Sequence, residues 1–434
     1  MAENVVMTAH GSVPRSHTSD SIWERRVPGG LRGSLDLVGL ALLGLFFFGF
    51  VARNLTHQGD LKTYQLAAQA VLAGQDPYVP ENLSALAGRR VSPFVYPPIA
   101  LLPFVTVAAM PSKVVASIWI WGKISMLGFL VFLWGRWFLR RVPLLVLGLV
   151  AAFGWNSSAL WDLAAGNVAI LEAGLIWAAL TCFVSGRRTL FVCLVLASAS
   201  FKLTPVALLL LLLVPIRGAA PSPRLLIVAS VAFAVLVLGP LVVGPAAGFR
   251  TFWSHVPDAT GYGDSNPSAL GLVSVLLQRI GVQGAGTERI AIALWFACVC
   301  GLFIASRSVL QTAYQTADPR RWAMIAVFLY VLALPRPMAY GYFLLTPAPF
   351  FFSPRPFARG PGPLLLALVL SAQGLLRLTQ MRWELPLVTY APYLLTLCVW
   401  LLIVNAHMQQ QRSDAGPVEG PATTHDPACG ARAA

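Results

Sequence analysis

The run LDLVGLALLGLFFFGFVARNLTHQGDLKTY, residues 35–64, decides which solvent this chain folds in. Its first part, residues 35–52, is almost wholly apolar and approaches the ~20 residues that a helix needs to cross a bilayer. No small-residue cleavage site follows, so it reads as an uncleaved first span. Polar sequence then begins at once, and a carboxylate, Asp60, stands where the chain leaves the membrane. The rest of the chain agrees with this start. Of 434 residues, 57% are hydrophobic and 11% charged, against roughly 25% charged in a soluble domain. Mean hydropathy is +0.70. Composition predicts an all-α polytopic membrane protein.

The formal net charge of +14 comes from 31 Lys and Arg against 17 Asp and Glu. Most of the basic residues fall in short loops between apolar runs, where they set orientation. No basic soluble domain exists to bind nucleic acid, so none is expected as a partner. Arg25, Arg26 and Arg32 put the N-terminus in the cytoplasm. Alternate loops repeat that sign: Arg136, Arg140 and Arg141; Arg187 and Arg188; Arg217 and Arg224; Arg307, Arg320 and Arg321; Arg355 and Arg359. The opposite face then carries the long loops, residues 53–94, 155–166 and 244–266, the last followed by a half-helix at 267–280. The organisation predicted is a disordered cytoplasmic segment 1–33, a membrane domain 34–407 and a cytoplasmic tail 408–434.

Several apolar runs are too short to cross alone. Residues 189–200 and 203–216 meet at Lys202, and residues 324–334 and 340–352 meet at Pro335-Arg336-Pro337. Each pair reads as two short helices joined at a polar elbow. Non-helical backbone at membrane depth survives only where protein or a watery cavity covers it. These elbows therefore predict a cavity, within a total of about twelve membrane helices.

The polar residues that lipid should reject come next. Asp60 precedes a short amphipathic segment, 61–72, and reads as a helix N-cap, as a solvated loop carboxylate, or as a general base at a membrane-edge cavity. Lys202 either snorkels to the interface or contacts an anion. Arg336, followed by Tyr340 and Tyr342, invites the same reading. Glu172 lies inside a span and reads as a partner for a buried base or as a protonated acid, in a structural or a functional role. Asn167 is a capping residue or a sugar contact, and Asp162 is expected at the interface. His255 and Asp258 are too few for a metal site and read as loop residues. Five cysteines (Cys182, Cys193, Cys298, Cys300, Cys398) lie in apolar runs and Cys429 in the tail, none at metal-site spacing. No P-loop and no Gly-x-Ser-x-Gly element occurs.

Taken in order, these elements resemble glycosyltransferase family 87, integral-membrane enzymes of GT-C architecture. They are Asp60 with Tyr64, Gly74-Gln75-Asp76-Pro77-Tyr78, Phe94-Val95-Tyr96-Pro97-Pro98, Gly166-Asn167, Phe201-Lys202-Leu203-Thr204-Pro205 and Asn266-Pro267-Ser268. The resemblance implies transfer of a sugar, mannose foremost, from a polyprenyl-phosphate donor to a lipid or glycolipid acceptor on the outer face of a bacterial inner membrane. It implies Asp60 as general base in a single inverting displacement. Tyr64, Tyr78, Tyr96, Asn167, Lys202, Asn266, Arg336 and Tyr340 would bind substrate, with no metal and no cofactor. Two positions depart from the family's habit. Gly166-Asn167 stands where Gly-Gln is usual, and Arg336-Pro337-Met338-Ala339-Tyr340 stands where mannolipid-making members carry a histidine. The competing expectation is a transporter or lipid flippase, since broken helices bearing charges also mark those proteins. Against it stand the missing internal symmetry and the long outer loop with Asp60.

Overall fold

The computed structural model describes residues 29–55, 58–140, 142–217, 219–243, 251–254, 267–282, 284–352 and 390–414. Every regular element among them is helical. The main ones are α1 (Gly29–Asn54), α2 (Gly59–Leu72), α3 (Pro80–Ala87), α4 (Ser112–Leu133) and α5 (Leu144–Ala165). There follow α6 (Ala169–Val184), α7 (Arg188–Ala199), α8 (Pro223–Val243), α9 (Ala269–Arg279), α10 (Ala285–Ala305), α11 (Arg307–Thr316), α12 (Pro319–Ala333) and α13 (Ala391–Asp414). Among the described residues, five helices are long and apolar enough to cross a membrane; they lie in α1, α4, α5, α10 and α13. Shorter apolar helices, including α6, α7 and α9, fill in between. This is a helical membrane protein. The last helix continues to Asp414, past the expected boundary at 407.

The elbows fall where the prolines and charges place them. α7 ends at Ala199, and a 3-10 segment, Thr204–Leu213, begins beyond Lys202 with Pro205 in its first turn. α12 ends at Ala333, and another 3-10 segment, Ala339–Leu345, begins beyond Pro337. Proline has no N–H to donate and clashes with the preceding turn, so neither helix runs through. The half-helix expected at 267–280 is α9, whose N-cap Ser268 accepts a bond from Gly271 N–H at 2.9 Å.

One expectation is corrected here. Residues 155–166 do not form a loop: after a break, residues 158–165 complete α5, and Gly166 caps it. The helix is broken at residues 154–157, where Trp155, Asn156 and Ser157 all have φ between 54 and 60°. Ser158 Oγ lies on the Trp155 carbonyl and, at 2.8 Å, on the Ala339 carbonyl, which ties the break to the second elbow. Ser158 and Asp162 have partners inside the protein, so their polarity does not require water, while Asn156 Oδ1 is buried without a partner. Asp162, expected at the interface, is fully buried.

Two cores result. The larger one packs Trp134, Trp155, Trp177, Phe343 and Trp400 between the long helices. Small residues bring those helices close, as is usual in lipid. A Cβ on Gly148 of α5 would sit 3.1 Å from Leu43 of α1, and one on Gly174 of α6 would collide with Met126 of α4. The smaller core lies under the loop 53–94. Leu61, Tyr64 and Ala68 recur at helical spacing on α2 and pack with Tyr78, Leu83, Phe94, Tyr96 and Phe104. That loop is a folded layer with its own apolar interior, and it presents Asp60 from a rigid helix.

Candidate active site

Asp60 lies in the first turn of α2 but does not cap it. The N-cap position is Gln58, which makes no side-chain capping bond. Gln58 instead reaches across to α5, donating from Nε2 to the Leu163 carbonyl at 2.7 Å. The Asp60 carboxylate is thereby left to face inward, where it accepts from Asn167 Nδ2 at 2.7 Å. A negative charge in the first turn is favoured by the exposed N–H groups there.

Asn167 sits at the centre of the constellation. Its Nδ2 also lies 3.0 Å from Tyr64 Oη, 2.9 Å from Tyr96 Oη and 2.9 Å from Tyr340 Oη. Tyr64 donates to Tyr96 at 3.0 Å. An amide nitrogen carries only two hydrogens, so these four oxygens share them and the charged carboxylate has first claim. The hydroxyls of Tyr96 and Tyr340 donate no bond among the described residues, which leaves their protons for a ligand. Asn167 Oδ1 is buried without a partner. The amide is therefore aimed by Nδ2 and by its backbone alone.

These groups open onto a cavity of about 660 Å³. It is lined by Asp60, Tyr64, Tyr96, Asn167, Lys202, Arg336 and Tyr340, all foreseen in the sequence, and by Glu172, Thr204 and Tyr330. The remaining wall is mostly apolar, with Phe201, Leu203, Phe252, Val331 and Leu344, alongside Thr63 and Ser92. Lys202 Nζ meets Glu172 Oε2 at 2.5 Å, and the lysine side chain is 26% exposed, so this ion pair faces the void. Thr204 Oγ1 and Tyr330 Oη stand 2.9 Å apart on the same side. The second elbow is braced by Ser268 Oγ, which donates to the Pro335 carbonyl at 2.7 Å, and by Tyr342, whose hydroxyl donates to the Pro267 carbonyl.

Tyr78 is not a lining residue. It stands behind the wall, donating from its hydroxyl to the Tyr96 carbonyl at 2.8 Å, with its ring against Phe94 and Phe252. Asp76 folds the preceding turn by accepting from Tyr78 N–H at 2.9 Å. Asn266, together with His255 and Asp258, lies outside the described residues.

Burial pushes the Asp60 carboxyl above its usual range, with the Asn167 amide acting against it. Burial likewise pushes the Tyr96 hydroxyl up to about 12, and Tyr64 further. The tyrosines are thus neutral donors, and Asp60 is the ionisable acceptor among them. Sequence reasoning missed Lys123 and put Asp162 at the interface; the two form a wholly buried ion pair beneath Asn167 at 2.9 Å. The available signal was a lysine and an aspartate each inside an apolar helix, where a lone charge is costly.

A helical membrane protein with an acid, an amide, tyrosines and two cations around one cavity has the equipment of an enzyme acting at the membrane. The chain belongs to glycosyltransferase family 87: the family's model matches residues 94–335, more than half of the sequence. It is therefore a glycosyltransferase, which decides between the transferase and transporter readings. The match covers Tyr96, Asn167 and Lys202 and begins after Asp60 and Tyr78. No curated protein and no solved structure matches the chain.

Proposed function

We propose that the protein transfers a sugar, mannose foremost, from a polyprenyl phosphate to the hydroxyl of a lipid or glycolipid acceptor. The observation that carries this reading is that Asp60, Lys202 and Arg336 line one cavity whose wall also carries apolar side chains. Asp60 takes the proton of the acceptor hydroxyl while that oxygen attacks the anomeric carbon. The bond from the anomeric carbon to the phosphate oxygen breaks, and its electron pair leaves with the polyprenyl phosphate. Lys202 and Arg336 meet the charge that develops there. Tyr96 and Tyr340 donate to the sugar or the phosphate. The products are an inverted glycoside, the polyprenyl phosphate and a protonated Asp60. One carboxylate beside the amide suits a single displacement; a double displacement needs a second as nucleophile, and Glu172 is engaged by Lys202.

The architecture belongs to the same reading: a GT-C arrangement of about twelve membrane helices, in a bacterial inner membrane, with the cavity on the outer face. Contacts at the far end of the bundle support that orientation. Arg217 N–H donates to the Ala317 carbonyl at 2.9 Å, and Arg188 bonds to the Ala220 carbonyl and to Ser222. Three arginine-rich loops are thus joined at one end, as a shared cytoplasmic side requires. The test is incubation of the purified protein with a panel of polyprenyl-phosphate sugars and lipid acceptors, followed by mass spectrometry. A glycosylated lipid is expected. Transfer only from nucleotide sugars would overturn the reading.

A further inference from the structure

Lys123 and Asp162 have no place in the transfer step, yet they are the most deeply buried ion pair among the described residues, each side chain 0% exposed. Removing two charges from water costs several kcal/mol per ion, and apolar residues of similar volume often serve stability as well. Stability alone is therefore a poor reason for the pair. Its contacts suggest another. Lys123 Nζ donates to Asp162 Oδ2 at 2.9 Å, to the Asp162 carbonyl at 2.6 Å and to the Asn167 carbonyl at 3.1 Å. These three bonds use every ammonium hydrogen. Asp162 Oδ1 accepts from Ala169 N–H at 3.0 Å, in the first turn of α6. The pair therefore grips the chain at Asn167 and just beyond it. The preceding residue is held too: Trp119 Nε1 donates to the Gly166 carbonyl at 2.9 Å.

We propose that Lys123 and Asp162 are positioning residues for the base: they fix the backbone of Asn167 and so aim its amide N–H at the Asp60 carboxylate. The inference rests on the reading of Asp60 as base. Neither residue lines the cavity, so neither acts on substrate directly. With Oδ1 lacking a partner, the Asn167 amide is held only through its Nδ2 contacts and through its backbone. Where the turn is pinned sets the position from which Nδ2 reaches the carboxylate.

The test uses the purified full chain in the transfer assay with two variants. Lys123→Met/Asp162→Asn removes both charges while keeping an acceptor for Ala169 N–H. Asp162→Glu keeps both charges and moves the carboxylate by one methylene. Expected are wild-type melting, an unchanged KM for the polyprenyl-phosphate sugar, and a kcat at least ~tenfold lower. Asn167→Ala added to the double variant should lower kcat no further, because both changes act through one amide. Folded variants with wild-type kcat, or a loss that adds to that of Asn167→Ala, would overturn the proposal. Loss of fold in both variants would assign the pair to stability and overturn it too. A wild-type protein that transfers nothing would instead remove the proposed function, and this inference with it.

Discussion

At the scale of the residue, Asp60 works against its surroundings. Burial raises its pKa, shifting the carboxyl toward its protonated form, whereas the base must be ionised. Transfer is expected to rise with pH as Asp60 ionises, along a limb displaced above the ~3.9 of an ordinary aspartate. The sign for stability is opposite. A carboxyl whose folded pKa is raised contributes stability in acid and loses it as pH rises through the folded value. Asp60→Asn should then melt no lower than wild type at neutral pH, with the difference vanishing in acid; thermal melts at several pH values check this. Lys202 is harder to isolate. Lys202→Ala strands Glu172 as a buried carboxylate without its cation, so loss of fold would say little. In Lys202→Ala/Glu172→Gln the charge is balanced, and KM for the donor should rise ~tenfold or more with the loss of a charge-assisted bond. An unchanged donor KM in that folded variant would make Lys202 structural.

At the scale of the element, turns decide the geometry. Gly166 has φ of 80°, and a Cβ there would meet Gln58 Oε1 at 2.8 Å and Leu61 Cβ at 3.0 Å. Gly166→Ala should cost ~1–2 kcal/mol from the left-handed conformation alone and should separate α2 from the Asn167 turn. A lower melting temperature together with reduced transfer is expected. The elbows were legible in the sequence because proline and charge interrupt apolar runs, and a broken helix needs no knowledge of its neighbours. The second half of α5 was not. Its Asn156, Ser157, Ser158 and Asp162 read as a water-facing loop, since Lys123 and the Ala339 carbonyl that satisfy two of them come from distant segments. The same limit applies to Tyr78 and Tyr96. Both belong to the smaller core, and only the packing of Tyr78 on Phe94 and Phe252 puts it behind the wall. Glu172 was legible as either paired with a base or protonated; the fold selects the pair and names Lys202.

At the scale of the whole molecule, the account needs one sidedness: the cavity outside and the arginine loops within. In a background without cysteines, Arg89→Cys should react with a membrane-impermeant thiol reagent in intact cells. Arg187→Cys should react only after permeabilisation. Both positions are exposed, so accessibility in the protein is not limiting. The reverse pattern would turn the molecule over and move its chemistry to the cytoplasm. Sugar transfer itself follows from the family; the chemistry at Asp60 is the central claim. It is tested most directly by turnover of purified wild type and Asp60→Asn with a polyprenyl-phosphate sugar that the wild type uses. A general base is worth ~10²–10⁴ in rate, so the variant should stay folded, bind donor normally and lose at least that lower factor in kcat. A folded Asp60→Asn protein that turns over at the wild-type rate would contradict the account.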